Sequence, residues 1–258
     1  WDLFAKNQKL PLNKLLNPDS KNDISVYASG INPSQSHEQI AVAKSMGIKA
    51  FKVKIGFNHS LDIDLLESLD NYFTNDEMMM LDVNQGWNFQ EAAKYLKILE
   101  DYNFSWIEEP ISALSSQAEI KNIIKSTSCD LAFGENITSF DEFISLSQNN
   151  KSKYIQPDLT KYGGISLINN LSKKIKINKI WLHFLGGSVG LLTSAHIMAA
   201  TNPSAYLETD ININPLRTSV LKNELNIENG KIHINDDYGI GGPLNFDTVN
   251  KYLVLSNA

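Results

Sequence analysis

Acidic and basic residues recur at the ends of short apolar runs, about every 26 residues along the chain. Lys52 and Lys54 close FKVKIG, and Asp82 and Asn84 close LDVNQGW. Glu108 and Glu109 lie in WIEEP, Glu135 in FGEN, Asp158 in IQPDLT, His183 in WLHF and Glu208 in YLETD. In a strand, residues i and i+2 share a side, so Lys52 and Lys54 point together, as do Asp82 and Asn84. Glu108 and Glu109 are adjacent, so at most one points directly into a common mouth. Asp82, one of Glu108 or Glu109, and Glu135 thus form a carboxylate trio on three consecutive strands. Gathered carboxylates repel one another unless a hard divalent cation neutralises them, and Mg²⁺ takes such oxygen ligands while keeping positions open for water and substrate. Solvated loop carboxylates, or partners for nearby lysines, are the plainer alternative.

A lysine facing the inside of a barrel must be paired or poised. Next to a cation and a second ammonium it gives up its proton more easily and becomes a credible general base. A Schiff-base role for Lys54 is the rival chemistry, and the carboxylate trio argues against it, because Schiff-base barrels need no metal. Asp158 and His183 lie at the ends of neighbouring strands, where an Asp can orient the ring and raise its basicity. Paired in this way, and opposite Lys54, His183 reads as a second acid/base. Glu208 reads as a hydrogen-bonding partner for a substrate oxygen, against a structural salt bridge. His196 lies within the apolar LLTSAHIMAA and reads as a packed histidine, whereas His37, His59 and His233 read as surface positions. Met78–Met80 reads as core. The pairs Gly163-Gly164 and Gly186-Gly187 allow tight turns near a ligand, a weak signal alone.

Eight strands are needed to position these residues. They are predicted at Ile24–Gly30, Phe51–Gly56, Met78–Asn84, Ser105–Pro110, Asp130–Asn136, Tyr154–Thr160, Lys179–Leu185 and Ala205–Ile211. Several are nearly continuous apolar runs, as strands buried on both faces are. Amphipathic helix-length stretches separate them: one with Ser36 as cap and Gly47 at its end, one opening at Asn88, and one with Ser139 and Glu142 spaced as a capping box. This alternation predicts a right-handed parallel α/β barrel, whose chemistry gathers at the carboxyl ends of the strands. After about residue 212 the pattern changes, and NGK between NIE and IHI reads as a hairpin turn. Residues 1–20, with apolar Trp1, Leu3, Phe4, Leu10, Leu12, Leu15 and Leu16, read as an internal segment that needs covering.

The chain has 258 residues, 42% hydrophobic and 20% charged, with a net charge of −6. That suits one large soluble domain. No basic stripe is present to neutralise a nucleic-acid backbone, and no apolar run is long enough to span a membrane. Cys129 is the only cysteine, so no internal disulfide is possible, and a cytoplasmic location is expected.

Taken jointly, KxK, DxN, WIEEP, GEN, PDxxKxGG, His and LE resemble the enolase superfamily, in the mandelate racemase / muconate lactonizing enzyme family. Asp158 rather than a lysine on strand six, with His183, places the resemblance in the mandelate racemase subgroup. It runs from about Trp1 to GIGGPL at Gly239–Leu244. It implies a TIM-like (β/α)7β barrel over residues 21–211. Residues 1–20 would be a linker from an N-terminal α+β capping domain absent from this chain, and residues 212–258 a segment that packs on that domain. It also implies Asp82, Glu108 and Glu135 as Mg²⁺ ligands and Lys52 as the neutraliser of a substrate carboxylate. Asn84 would contact substrate, Lys54 and the Asp158–His183 dyad would be the two acid/bases, and Glu208 would hydrogen-bond the carboxylate end. The implied reaction removes the proton α to a carboxylate through an enediolate, as in dehydration of a sugar acid. Racemisation, epimerisation or lactone isomerisation of a hydroxy acid are the alternatives. The expected partner is a small carboxylate substrate, and the full-length form is expected to be a homo-oligomer. Without a cap over the mouth, weak or absent turnover is expected. A non-catalytic barrel that keeps its metal site is the reading from outside the enzymes.

Overall fold

Seven of the eight predicted runs are strands, and their ends fall where the charged residues require. The computed structural model describes residues 1–223 and 225–254. Two short helices, α1 (Asp2–Asn7) and α2 (Leu12–Leu16), precede β1 (Asp23–Ile31). The strand–helix units follow: α3 (Ser36–Ser45), β2 (Ala50–Lys54), α4 (His59–Leu69), β3 (Met78–Asp82), α5 (Phe89–Leu99), β4 (Ile107–Glu108), α6 (Gln117–Ser126), β5 (Leu131–Phe133), α7 (Phe140–Ser147), β6 (Ser152–Ile155), α8 (Gly164–Ser172), α9 (Ser188–Thr201) and β7 (Leu207–Asp210). The strands pair in parallel in the order β6-β5-β4-β3-β2-β1, and β7 pairs in parallel with β1. This is the α/β parallel architecture the sequence predicts.

The predicted seventh strand, Lys179–Leu185, is not a regular strand. Only Ile180 bridges to Ile155, and Trp181 donates its N–H to the Ile155 carbonyl. Beyond that, side chains take its backbone groups: Asn202 Nδ2 donates to the Ile180 carbonyl, and the Phe184 N–H donates to the Glu208 carboxylate. Buried backbone groups need partners, and here side chains supply them in place of a ladder. No ladder therefore joins β6 to β7 among the described residues.

The helices begin where the sequence supplies caps. Asn88 and Glu91 form a reciprocal capping box on α5, whose buried face is Ala92, Leu96 and Leu99. A second box, Ser116 with Glu119, starts α6. Ser139 occupies the cap position of α7 but its side chain makes no capping bond, and Ser36 lies inside its helix, after a 3-10 turn at Pro33–Gln35. No helix among the described residues is long and apolar enough to cross a membrane.

The barrel interior is layered. Tyr27, Trp106, Tyr154, Trp181 and Tyr206 form an aromatic floor, with ring centroids 4.3 Å apart for Trp106–Tyr154 and 5.0 Å for Trp106–Trp181. Two residues further along each element comes a polar side chain: Ser29, Glu108, Gln156, His183 and Glu208. The two-residue repeat of extended backbone therefore stacks a polar layer on an apolar one.

The first twenty residues, expected as a linker, fold against the barrel. Asn13 donates its N–H to His196 Nδ1 on α9 at 3.1 Å, and Leu12 donates to the Gly239 carbonyl. The C-terminal segment comprises α10 (Pro215–Thr218), the antiparallel hairpin β8 (Ile227–Glu228) with β9 (Lys231–His233), and α11 (Phe246–Lys251). Asn229 and Gly230 both take left-handed backbone at the predicted hairpin turn. β9 also pairs with the start of β1. Trp1, Leu3 and Phe4 remain exposed.

Candidate active site

Register brings the predicted residues together at one end of the strands. Lys54 on β2 faces Asp82 on β3, and Asp82 is level with Glu108 on β4. Glu135 follows β5, Asp158 follows β6, His183 lies on the irregular seventh segment, and Glu208 is on β7 level with Tyr27 of β1.

Each expected metal ligand is held by a lysine. Lys54 Nζ lies 3.2 Å from Asp82 Oδ2, Lys52 Nζ 2.7 Å from Glu108 Oε2, and Lys161 Nζ 2.8 Å from Glu135 Oε1. Among the described residues no three His, Cys, Asp or Glu side chains are gathered closely enough to hold a metal ion as they stand. The donor set nevertheless suits a hard cation. Three carboxylates lie on or just past adjacent strands, and Glu108 Oε1 is buried and accepts no hydrogen bond, a lone-pair vacancy that a cation would satisfy. Asp82 also accepts from the Asn84 N–H at 2.9 Å, and Asn84 Oδ1 accepts from Lys54.

Lys52 sits lower than the sequence suggests. It is 1% exposed, bonded to Glu108 and 2.6 Å from Glu208 Oε1, and its ammonium lies 5.5 Å from the Tyr27 ring. It neutralises two buried carboxylates beneath the mouth. Burial alone would lower its pKa, but Glu108 and Glu208 hold it well above the ordinary lysine range. Lys54 is the more accessible of the two, with its side chain 21% exposed.

Asp158 and His183 lie side by side. His183 Nδ1 lies 3.3 Å from Asp158 Oδ2, while Asp158 Oδ1 accepts from the Thr160 N–H and hydroxyl at 2.7 and 2.6 Å. His183 Nε2 lies 3.6 Å from both Glu135 and Glu208. Burial would depress the ring pKa, but Glu208, Asp158 and Glu135 together raise it to about 9, so the ring is protonated at neutral pH. Burial pushes Asp158 up, and its bonds to His183 and Thr160 more than offset this, bringing it to about 2. Glu208 is held low in the same way, by Lys52 and His183 against its own burial. Burial instead prevails at Glu108, and its carboxyl is raised.

Two residues missed from the sequence belong here, Gln156 and Lys161, and Glu109, the alternative to Glu108, has a different place from the one expected. Gln156 donates to Glu108 Oε2 at 2.8 Å, Lys161 pairs with Glu135, and Glu109 bonds the turn that carries Glu135. Gln156 lies two residues before Asp158, so strand period already placed it on the same side. Lys161 lies inside the PDLTKYGG motif.

Comparison with known proteins agrees with this fold. The family described as enolase C-terminal domain-like matches residues 35–248. L-talarate/galactarate dehydratase of Salmonella typhimurium is 29% identical over 93% of this chain and 60% of its own length. Its crystal structure, in a mutant form with Mg and L-glucarate, superposes with a TM-score of 0.82 at 25% identity, over 97% of this chain and 62% of that one. Arabinonate dehydratase of Saccharolobus solfataricus is 28% identical over 93% of this chain and 66% of its own length. A mandelate racemase/muconate lactonizing enzyme from Bordetella bronchiseptica RB50 superposes with a TM-score of 0.84 at 29% identity, over 97% of this chain and 70% of that one. The chain thus spans less than two thirds of the length of the two dehydratases.

Proposed function

For this chain, which belongs to the enolase C-terminal domain-like family and to its mandelate racemase / muconate lactonizing enzyme group, we propose a Mg²⁺-dependent abstraction of the proton α to a carboxylate, with dehydration of a sugar acid as the outcome. The observation that carries this reading is His183, buried among Asp158, Glu135 and Glu208, with Lys54 on the far side of β7 and β1. Two proton-handling groups then serve two faces of one substrate.

Asp82, Glu108 and Glu135 are the residues that would hold the cation, which supplies charge neutralisation for the substrate carboxylate as negative charge develops there. Lys54, freed of its proton, takes the α-hydrogen. The electron pair left on that carbon forms the carbon–carbon double bond as the β-hydroxyl leaves. His183 Nε2 donates the proton that turns the departing hydroxyl into water, and Asp158 keeps the ring oriented through Nδ1. The enol so formed tautomerises to a 2-keto-3-deoxy acid. Glu208, ionised and anchored by the Phe184 N–H, stabilises the His183 imidazolium, and Lys52 balances the buried charge below. The same two groups also fit racemisation or epimerisation, if His183 returns a proton to carbon in place of oxygen.

The test is incubation of the purified chain with Mg²⁺ and a panel of aldonic and aldaric acids, following 2-keto acid formation and loss of the α-proton signal in D₂O. His183→Asn is expected to abolish keto-acid formation while leaving α-proton exchange through Lys54. Exchange that survives Lys54→Met, keto-acid formation that survives His183→Asn, or a folded chain that binds no Mg²⁺ would refute the reading.

A further inference from the structure

WIEEP carries two glutamates, and only Glu108 turns into the barrel. Glu109 turns sideways, is 2% exposed, and reaches the turn after β5. Its Oε1 accepts from the Gly134 N–H at 3.4 Å and the Asn136 N–H at 3.2 Å, and its Oε2 accepts from Asn136 Nδ2 at 2.7 Å. These donors flank Glu135 on both sides. The backbone of Glu109 takes φ 37°, in the left-handed region that a non-glycine residue seldom adopts. It is fixed there by its own N–H on the Ala132 carbonyl and by the Gln85 N–H on its carbonyl. Strain of this kind persists only where surrounding contacts impose it, and here it aims the carboxylate at the neighbouring strand. Asn136, held by Glu109, also places its Oδ1 3.5 Å from the Lys161 ammonium that pairs with Glu135.

We infer that Glu109 is a positioning residue, not a cation ligand: its carboxylate clamps the Gly134–Asn136 turn so that the Glu135 side chain points into the mouth. Both of its oxygens are committed to N–H donors. Charge-assisted hydrogen bonds to backbone N–H groups are among the stronger ones available, and groups that orient a metal ligand characteristically change affinity without touching the ion. The inference rests on the reading that Glu135 binds the cation. It predicts that the turn loosens when Glu109 is neutralised, and that the ligand it carries loses its aim.

The experiment compares wild type, Glu109→Gln, Glu135→Gln and the double variant by Mg²⁺ titration calorimetry, with amide hydrogen exchange on the metal-free chain. Asn136→Ala removes the shortest contact from the other side and serves if Glu109→Gln does not fold. Mg²⁺ binding by Glu109→Gln is expected to weaken on the order of tenfold or more. In the Glu135→Gln background, neutralising Glu109 is expected to add nothing further. Amides of Gly134 and Asn136 should lose protection without any metal present. An additive loss in the double variant would make Glu109 a direct ligand and overturn the inference. Unchanged amide protection, or lost protection with unchanged Mg²⁺ affinity, would overturn it as well. A folded wild-type chain that binds no Mg²⁺ would sink the metal reading and this inference with it, whereas the amide result separately judges the clamp.

Discussion

His196 should make the docking of both chain ends depend on pH. Its ring is 1% exposed within α9. Nδ1 accepts from the Asn13 N–H at 3.1 Å, and Nε2 donates to the Ile240 carbonyl at 3.0 Å, so the neutral ring ties the N-terminal arm and the C-terminal segment to one helix. Burial lowers its pKa from 6.5 to about 4, with the Ile240 carbonyl and Asp2 opposing only weakly. Because the folded value is depressed, the unfolded chain binds the proton more readily between those two values. The stabilisation is thus fully present above pH 6.5 and is lost as pH falls through about 4. The whole difference corresponds to about 3 kcal/mol, of which about 2 kcal/mol is gone at pH 5. Urea unfolding at pH 7.5 and pH 5, on wild type and His196→Gln, isolates this share from that of other titrating groups. The variant should be less stable at pH 7.5, and its stability difference between the two pH values should be smaller by about 2 kcal/mol. Equal pH dependence in the two proteins would refute the argument.

Three further outcomes follow from the geometry. Lys161→Met should tighten Mg²⁺ binding, because the metal no longer displaces an ammonium from Glu135; the pair is partly exposed, so a gain of up to about fivefold is expected in low-salt calorimetry, shrinking as salt rises. Lys52→Met should destabilise the fold by about 3–5 kcal/mol in denaturant melts, since it strands two buried carboxylates, and adding Glu108→Gln should recover part of that loss. Gly134→Ala should cost about 1–3 kcal/mol and weaken Mg²⁺ binding, because its backbone lies at φ 142° and a Cβ there would come 2.7 Å from the Gln156 nitrogen; an unchanged melting curve would show that this turn gives way freely.

The positions of the site residues were legible because extended backbone has a fixed period and a parallel barrel sends all strand ends one way. Lys54, Asp82, Asp158, His183 and Glu208 follow from that alone, and so does a glutamate at 108 or 109. The same period also wrote Trp106 before Glu108, Tyr154 before Gln156, Trp181 before His183 and Tyr206 before Glu208, an aromatic residue two places below each polar one. Read that way, the sequence already contains the aromatic floor and the polar layer, and with it Gln156. What period cannot decide is which of two adjacent glutamates faces inward, because that turns on the left-handed backbone at Glu109, fixed by Ala132 on β5 and by Gln85 in the turn after β3. Nor does it show that Lys179–Leu185 lacks a ladder, because its backbone partners are the side chains of Asn202 and Glu208, some twenty residues on. The docking of Asn13 on His196 spans 183 residues and leaves no local trace. Strand period therefore reveals the candidate ligands and bases, while the groups proposed to aim them, Glu109 above all, are set by contacts between strands that no single run of residues encodes.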